Sequence, residues 1–146
     1  MEDLKIILIL GLPGSGKTTY SNFLKDKMPH SLLLDDYSVK FPNGIEIPSD
    51  KKTLIVTDPM FLTFSYETIT TYFIKRYPEY RISFEWVIFS LDVVSCLKNV
   101  NARNDGRIIS HYFMNSLYKK SKDHINDYIN SIMLHNEYLD IRESFK

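Results

Sequence analysis

Leu4-Lys5-Ile6-Ile7-Leu8-Ile9-Leu10-Gly11-Leu12-Pro13-Gly14-Ser15-Gly16-Lys17-Thr18 is the stretch that sets the fold of this chain. Leu4 to Leu10 is an apolar run rich in isoleucine that stops at Gly11, the pattern of a strand buried on both faces of a parallel sheet. After it, Tyr20, Phe23, Leu24 and Met28 recur at the spacing of one helix face, and Pro29 ends the run. Between strand and helix, Gly11 to Thr18 matches G-x-x-x-x-G-K-[ST] in full. The residue types follow from the task of holding phosphate. Glycines at 11, 14 and 16 permit backbone conformations and close approaches that a Cβ would block. The resulting nest of N–H groups, backed by a helix N-terminus, surrounds phosphate oxygens with positive potential. Lys17 is placed to reach the β- and γ-phosphates of a nucleoside triphosphate, and the Thr18 hydroxyl to ligate Mg²⁺. ATP contacts are therefore expected from Gly11, Pro13, Gly14, Ser15, Gly16, Lys17, Thr18 and Thr19.

Outward from this loop, apolar and polar segments alternate. Ser31 to Leu34 reads as a short second strand, Leu54 to Val56 as a third and Ile82 to Phe89 as a fourth, interrupted by the polar Glu85. Helices are expected from about Phe61 to Tyr77, from a cap at Asp92 to about Arg103, and in two stretches between Ser110 and Leu134. Tyr37 to Lys52, with Pro42, Gly44 and Pro48, reads mostly as loop, and Asn104-Asp105-Gly106 as a turn. Tyr138 to Ile141 fits either a fifth, edge strand or the end of a helix. Strands alternating with helices predict a three-layer α/β/α fold around a mostly parallel sheet of four or five strands, as one phosphate-loop domain over 1–146.

The bulk properties narrow the partners. Eighteen basic and eighteen acidic side chains give no net charge, so a nucleic-acid partner would be held by a local groove and not by the overall field. One cysteine, Cys96, allows no internal disulfide, and no run approaches the length of a membrane span, so a cytoplasmic setting is expected. A single alanine among many Ile, Lys, Asn, Tyr and Phe suits an AT-rich genome, a viral or phage one among others. His30, His111, His124 and His135 lack metal-ligand spacing, and Phe61, Phe64, Tyr66, Tyr72, Phe73 and Tyr77 are read mainly as core.

Acidic residues follow the second and third strands, at the sheet edge where ligands of open parallel sheets bind. Asp35 and Asp36 succeed Leu34; their side chains diverge, so one is expected to serve chemistry and the other a turn, with Asp35 the candidate general base. Asp58 ends the third strand and supports two readings, a Mg²⁺ ligand or an N-cap before Pro59. Arg103 and Arg107 flank the connection between two late helices, where an arginine can close over transferring phosphate.

Taken in order, GLPGSGKT at Gly11 to Thr18, DDY at Asp35 to Tyr37, the TD end of the third strand at Asp58, CLKNVNAR at Cys96 to Arg103 and the segment Ile109 to Lys119 resemble the phosphate-loop kinases of the phage polynucleotide-kinase type. The resemblance implies transfer of the ATP γ-phosphate to a hydroxyl, often a nucleic-acid 5′-OH, with Asp35 as base and Arg103 as the lid arginine. Ser38 stands where such kinases tend to carry a phosphate-binding arginine, and Lys40 is the cation nearby. Asn99 and Val100 replace a common Arg-Asn pair, and the segment covering the acceptor groove is short. The acceptor is then a polynucleotide end, a nucleotide or modified base, with a small alcohol or a non-kinase nucleotide switch as alternatives.

Overall fold

The computed structural model describes residues 1–103 and 110–143, apart from the side chains of Arg103 and His111. Five strands form one sheet in the order β2-β3-β1-β4-β5, every neighbouring pair parallel. They are β1 (Glu2–Leu10), β2 (Ser31–Leu34), β3 (Thr53–Thr57), β4 (Tyr80–Phe89) and β5 (Tyr138–Arg142). The segment 138–142 is thus the edge strand, one of the two readings its sequence allowed. The helices are α1 (Lys17–Lys27), a single turn α2 (Tyr37–Lys40), α3 (Tyr66–Arg76), α4 (Val93–Arg103) and α5 (His111–Leu134).

Alternation along β1 divides the core. Leu4, Ile6, Leu8 and Leu10 face a layer built from α3 and α5, with Phe73, Tyr128 and Ile132 against Trp86 and Ile88 of β4. Ile7 and Ile9 face the other way, where Tyr20, Leu24 and Met28 of the α1 segment cover them. A third cluster, Leu12, Cys96, Leu97, Val100, Met114 and Leu117, seats α4 and the start of α5 over the loop that follows β1. The polar Glu85 inside β4 is explained by Lys5 on β1, whose ammonium lies 3.3 Å from its carboxylate.

Three elements differ from the sequence expectation. The helix expected over 61–77 is broken into a 3₁₀ turn, Pro59–Thr63, and α3. Asp58 caps the first by accepting from Met60 N, and Ser65 restarts the chain by accepting from Thr68 N. The two stretches after Ser110 are one helix of 24 residues, ended by Asn136 in the left-handed region. Within the expected loop, Tyr37 starts a helical turn because its ring is buried against Phe41, Phe61 and Phe73. The turn expected at Asn104-Asp105-Gly106 lies outside the described residues. No helix among the described residues is long and apolar enough to cross a membrane.

One half-buried carboxylate ties the layers together. Glu137 Oε1 accepts from the Tyr66 hydroxyl at 2.6 Å and from Trp86 Nε1 at 3.0 Å, joining α3, β4 and the entry to β5. Removing it strands two donors away from water, so Glu137→Ala should lower the unfolding free energy by about 2–3 kcal/mol and Glu137→Gln by about 1 kcal/mol. Urea denaturation of the two variants checks this; losses near zero would show that the shared acceptor contributes nothing, and equal losses that an amide oxygen does not replace it.

Candidate active site

In the sheet order, the connections from β1 and β3 leave to opposite sides, which opens a crevice at the carboxyl end of β1. The loop after β1 fills its floor. Gly14 and Gly16 take positive φ values of 81° and 104°, which L side chains adopt rarely. A Cβ on Gly14 would also run into the Cys96 carbonyl of α4, so this glycine sets how closely α4 approaches the loop. At Gly11 the space of a Cβ is taken by the Ser15 hydroxyl, itself fully buried. Gly16 is the N-cap of helix α1 and brings no capping side chain, so the N–H groups of the first turn are left for a ligand.

A cleft of about 300 Å³ lies above, lined by Pro13, Gly14, Gly16, Lys17, Thr18, Thr19, Asp35, Asp36, Pro59, Asn99 and Ala102. Seven of the sequence candidates meet there: Pro13, Gly14, Gly16, Lys17, Thr18, Thr19 and Asp35. Gly11 and Ser15 are not among the lining residues; they support the loop from beneath. Arg107 lies outside the described residues, and so does the side chain of Arg103, whose backbone ends α4 next to Ala102.

Lys17 is 8% exposed and its ammonium donates to the carbonyls of Gly11 and Leu12, both at 2.8 Å. Burial pushes its pKa down to about 8, against the opposing support of Cys96, Asp35, Asp36 and Asp58. Asp35 accepts a hydrogen bond from the Thr57 hydroxyl on the neighbouring strand. Asp36 occupies the N-cap position of α2 in the left-handed region, φ 51°, yet its side chain makes no capping bond. Both aspartates therefore face the cleft, where one had been expected to serve the turn. Asp58, 1% exposed, accepts from Ser38 N at 2.7 Å and from Met60 N at 2.8 Å. The second is the bond of the cap reading, the first ties Asp58 to α2, and Asp58 is not among the residues that line the cleft.

Sequence reasoning did not assign Asn99, Ala102 or Pro59 to the site. Asn99 Nδ2 donates to Gly14 O at 3.0 Å and so holds α4 against the loop. The signal was present in the helix pattern: Cys96, Leu97 and Val100 mark the buried face, and Asn99 and Ala102 sit three apart beside it.

The donor set can hold a triphosphate and a hard cation. Lys17 and the α1 N-terminus favour anionic oxygens, while Thr18, Asp35 and Asp36 offer the few oxygen ligands that Mg²⁺ takes alongside water and phosphate.

No protein-family model matches the chain. It is 30% identical over 110 residues to uncharacterized protein R277 of Acanthamoeba polyphaga mimivirus, covering 72% of this chain and 77% of that protein. Among solved structures, it superposes on a fungal RNA kinase with a TM-score of 0.61 at 12% identity, over 98% of this chain and 76% of the other. A gluconokinase from Sinorhizobium meliloti 1021 superposes with a TM-score of 0.57 at 10% identity, over 100% and 86%. The shared feature is the fold of phosphate-loop kinases.

Lys17 yields a pH prediction. Between about 8 and the ordinary 10.5, the unfolded chain holds more of this proton than the folded one. Stability conferred by the fold must then rise with pH across that window, by on the order of 3 kcal/mol in total. Unfolding free energies taken from about pH 7 to about pH 10 should climb in the wild type relative to Lys17→Met. Parallel curves would mean that the ammonium is not buried.

Proposed function

The chain belongs to the same family as mimivirus protein R277, and we propose that it is a kinase that moves the γ-phosphoryl group of ATP to an acceptor hydroxyl. The observation that carries this reading is the meeting of Lys17, Thr18 and Asp35 in one cleft whose floor is a glycine-shaped anion cradle. A triphosphate-binding loop alone suits a switch as well as a kinase. A carboxylate beside it, at the edge where an acceptor would approach, suits transfer.

In the proposed reaction Asp35 takes the proton of the acceptor hydroxyl as its oxygen bonds to the γ-phosphorus. The bond from that phosphorus to the bridging oxygen breaks, and ADP leaves with the electron pair. The Thr57 hydroxyl holds the Asp35 carboxylate in place. Lys17 and the α1 N-terminus hold the phosphates, and Asn99 holds α4 against the loop. Mg²⁺, bound through Thr18 and a cleft carboxylate, would neutralise charge on the phosphate oxygens. The sequence also proposed Asp58 as a ligand of that cation; its observed bonds favour the role of holding α2 and the 3₁₀ turn together. Arg103, by its place at the end of α4, is proposed as the lid arginine that offsets transition-state charge, and residues 1–146 as one kinase domain.

For the acceptor we favour a nucleic-acid 5′ end, a nucleotide or a modified base. The likeness to a fungal RNA kinase supports this, as does the polynucleotide-kinase resemblance of the motifs. The likeness to a gluconokinase supports the alternative of a small alcohol.

The test uses γ-labelled ATP and Mg²⁺ with three acceptor pools: 5′-hydroxyl oligonucleotides, nucleosides and small polyols. Asp35→Asn should slow transfer by about 10²–10⁴-fold while ATP affinity stays near that of the wild type. Lys17→Ala should lose ATP affinity as well. Undiminished transfer in Asp35→Asn, or no transfer to any pool by a wild type that binds ATP, would overturn the reading.

A further inference from the structure

A second cleft, of about 330 Å³, opens between α2, the 3₁₀ turn and the start of α3. It shares a wall with the first. Asp36 lines the phosphate cleft and the next two residues, Tyr37 and Ser38, line this one; Pro59 lines the first and Phe61 the second. Asp58 binds the two sides of that wall together through Ser38 N and Met60 N. A molecule seated in the second cleft would therefore extend toward Asp35 and Asp36.

The lining is aromatic and uncharged. Five of its nine residues are aromatic and none is charged. The Tyr37 hydroxyl is hydrogen-bonded to those of Tyr72 and Tyr77, at 2.8 and 2.9 Å, which leaves the rings of Tyr37 and Tyr72 as apolar surface. Thr68 Oγ1 is paired with Ser65 Oγ at 2.9 Å. A carboxylate or phosphate placed here would lose water and gain no counter-charge. A polyol would trade hydrogen bonds to water for contact with rings. A flat, uncharged ring gains stacking at no such loss.

Resting on the kinase reading above, we propose that this cleft takes the nucleobase of the acceptor, stacked among Phe41, Phe64 and Tyr72, with the acceptor hydroxyl turned to Asp35. Ser38 fits that assignment: ring recognition requires no arginine on α2. The base can belong to a free nucleoside or to a nucleic-acid end, and the experiment separates these.

Binding is measured without phosphoryl transfer, so that failure here is distinct from failure of the kinase reading. Thymidine, a short 5′-hydroxyl oligothymidylate and gluconate are titrated by ligand-observed NMR, with a non-hydrolysable ATP analogue saturating the first cleft. Two variants accompany the wild type, both checked for folding by circular dichroism. Phe64 is 45% exposed at the mouth, so Phe64→Ala leaves the core intact. Thr68→Asp puts a charge on an exposed residue of the first turn of α3, a position where the helix dipole favours it. Thymidine or the oligonucleotide should bind, about tenfold more weakly in Phe64→Ala and more weakly still in Thr68→Asp, with affinity for the ATP analogue unchanged. Tighter binding of the oligonucleotide than of thymidine assigns the cleft to a nucleic-acid end; binding of thymidine alone assigns it to a free nucleoside. Binding of gluconate in place of both, no binding of either, or variants that bind like the wild type would overturn the proposal. Nucleobase binding without any phosphoryl transfer would leave this cleft assigned and sink the kinase reading instead.

Discussion

A buried ammonium organises the glycine-loop end of this protein. Lys17 sits at the start of α1, largely out of water, and such a group must find partners or lose its charge. Here it finds the Gly11 and Leu12 carbonyls of its own loop, within the field of three aspartates that end β2 and β3. The loop is bent around its lysine, and that bend fixes where α1 begins. On the opposite side, the missing side chain of Gly14 lets the α4 backbone close in, and Asn99 fastens it there. A floor and two walls thus follow from one charge and one absent Cβ.

The acidic side of the cleft depends on strand register. Pairing Leu34 with Val56 puts the residues after them side by side, so that Asp35 meets Thr57. Asp58 then reaches the backbone of Ser38 and anchors α2 at its first turn. A parallel register therefore delivers both a restrained carboxylate and a rigid partition. Buried Tyr37 completes the partition from the apolar side, through its rings and hydroxyl partners.

The strand, glycine loop and helix at the N-terminus were legible because each is a local pattern, and the apolar runs of β2, β3 and β4 gave the parallel sheet. Asp92 as a cap was legible for the same reason: its carboxylate accepts from Ser95 three residues on. What escaped depends on distant contacts. The helical pattern over 61–77 hides its break, because Tyr128 on α5 donates to the Phe61 carbonyl and holds the 3₁₀ turn beneath that helix. Pro42 and Gly44 mask the turn at Tyr37, whose burial comes from α3. Asn99 reads as a surface polar residue until Gly14, 85 positions away, is brought beneath it. At Asp36 the sequence suggested a turn residue, and the backbone places it at the N-cap position of α2 in a left-handed conformation with its side chain unused for capping.

The neutral net charge takes on meaning from how charge is distributed. The cleft over the glycine loop holds a lysine against two lining aspartates, whereas the lining of the neighbouring cleft carries no charge. A polymer gripped through its phosphates would need basic residues along its path and would be released steeply by salt. A ring gripped by rings needs neither, and its binding varies little with salt. Ser38 in place of an arginine, which looked like a loss when set against phosphate recognition, is then the residue that keeps an aromatic cleft free of charge. On the proposed reading, a division of labour between two adjoining clefts, one electrostatic and one apolar, would let a chain with no net charge hold a highly charged donor beside an acceptor recognised by shape.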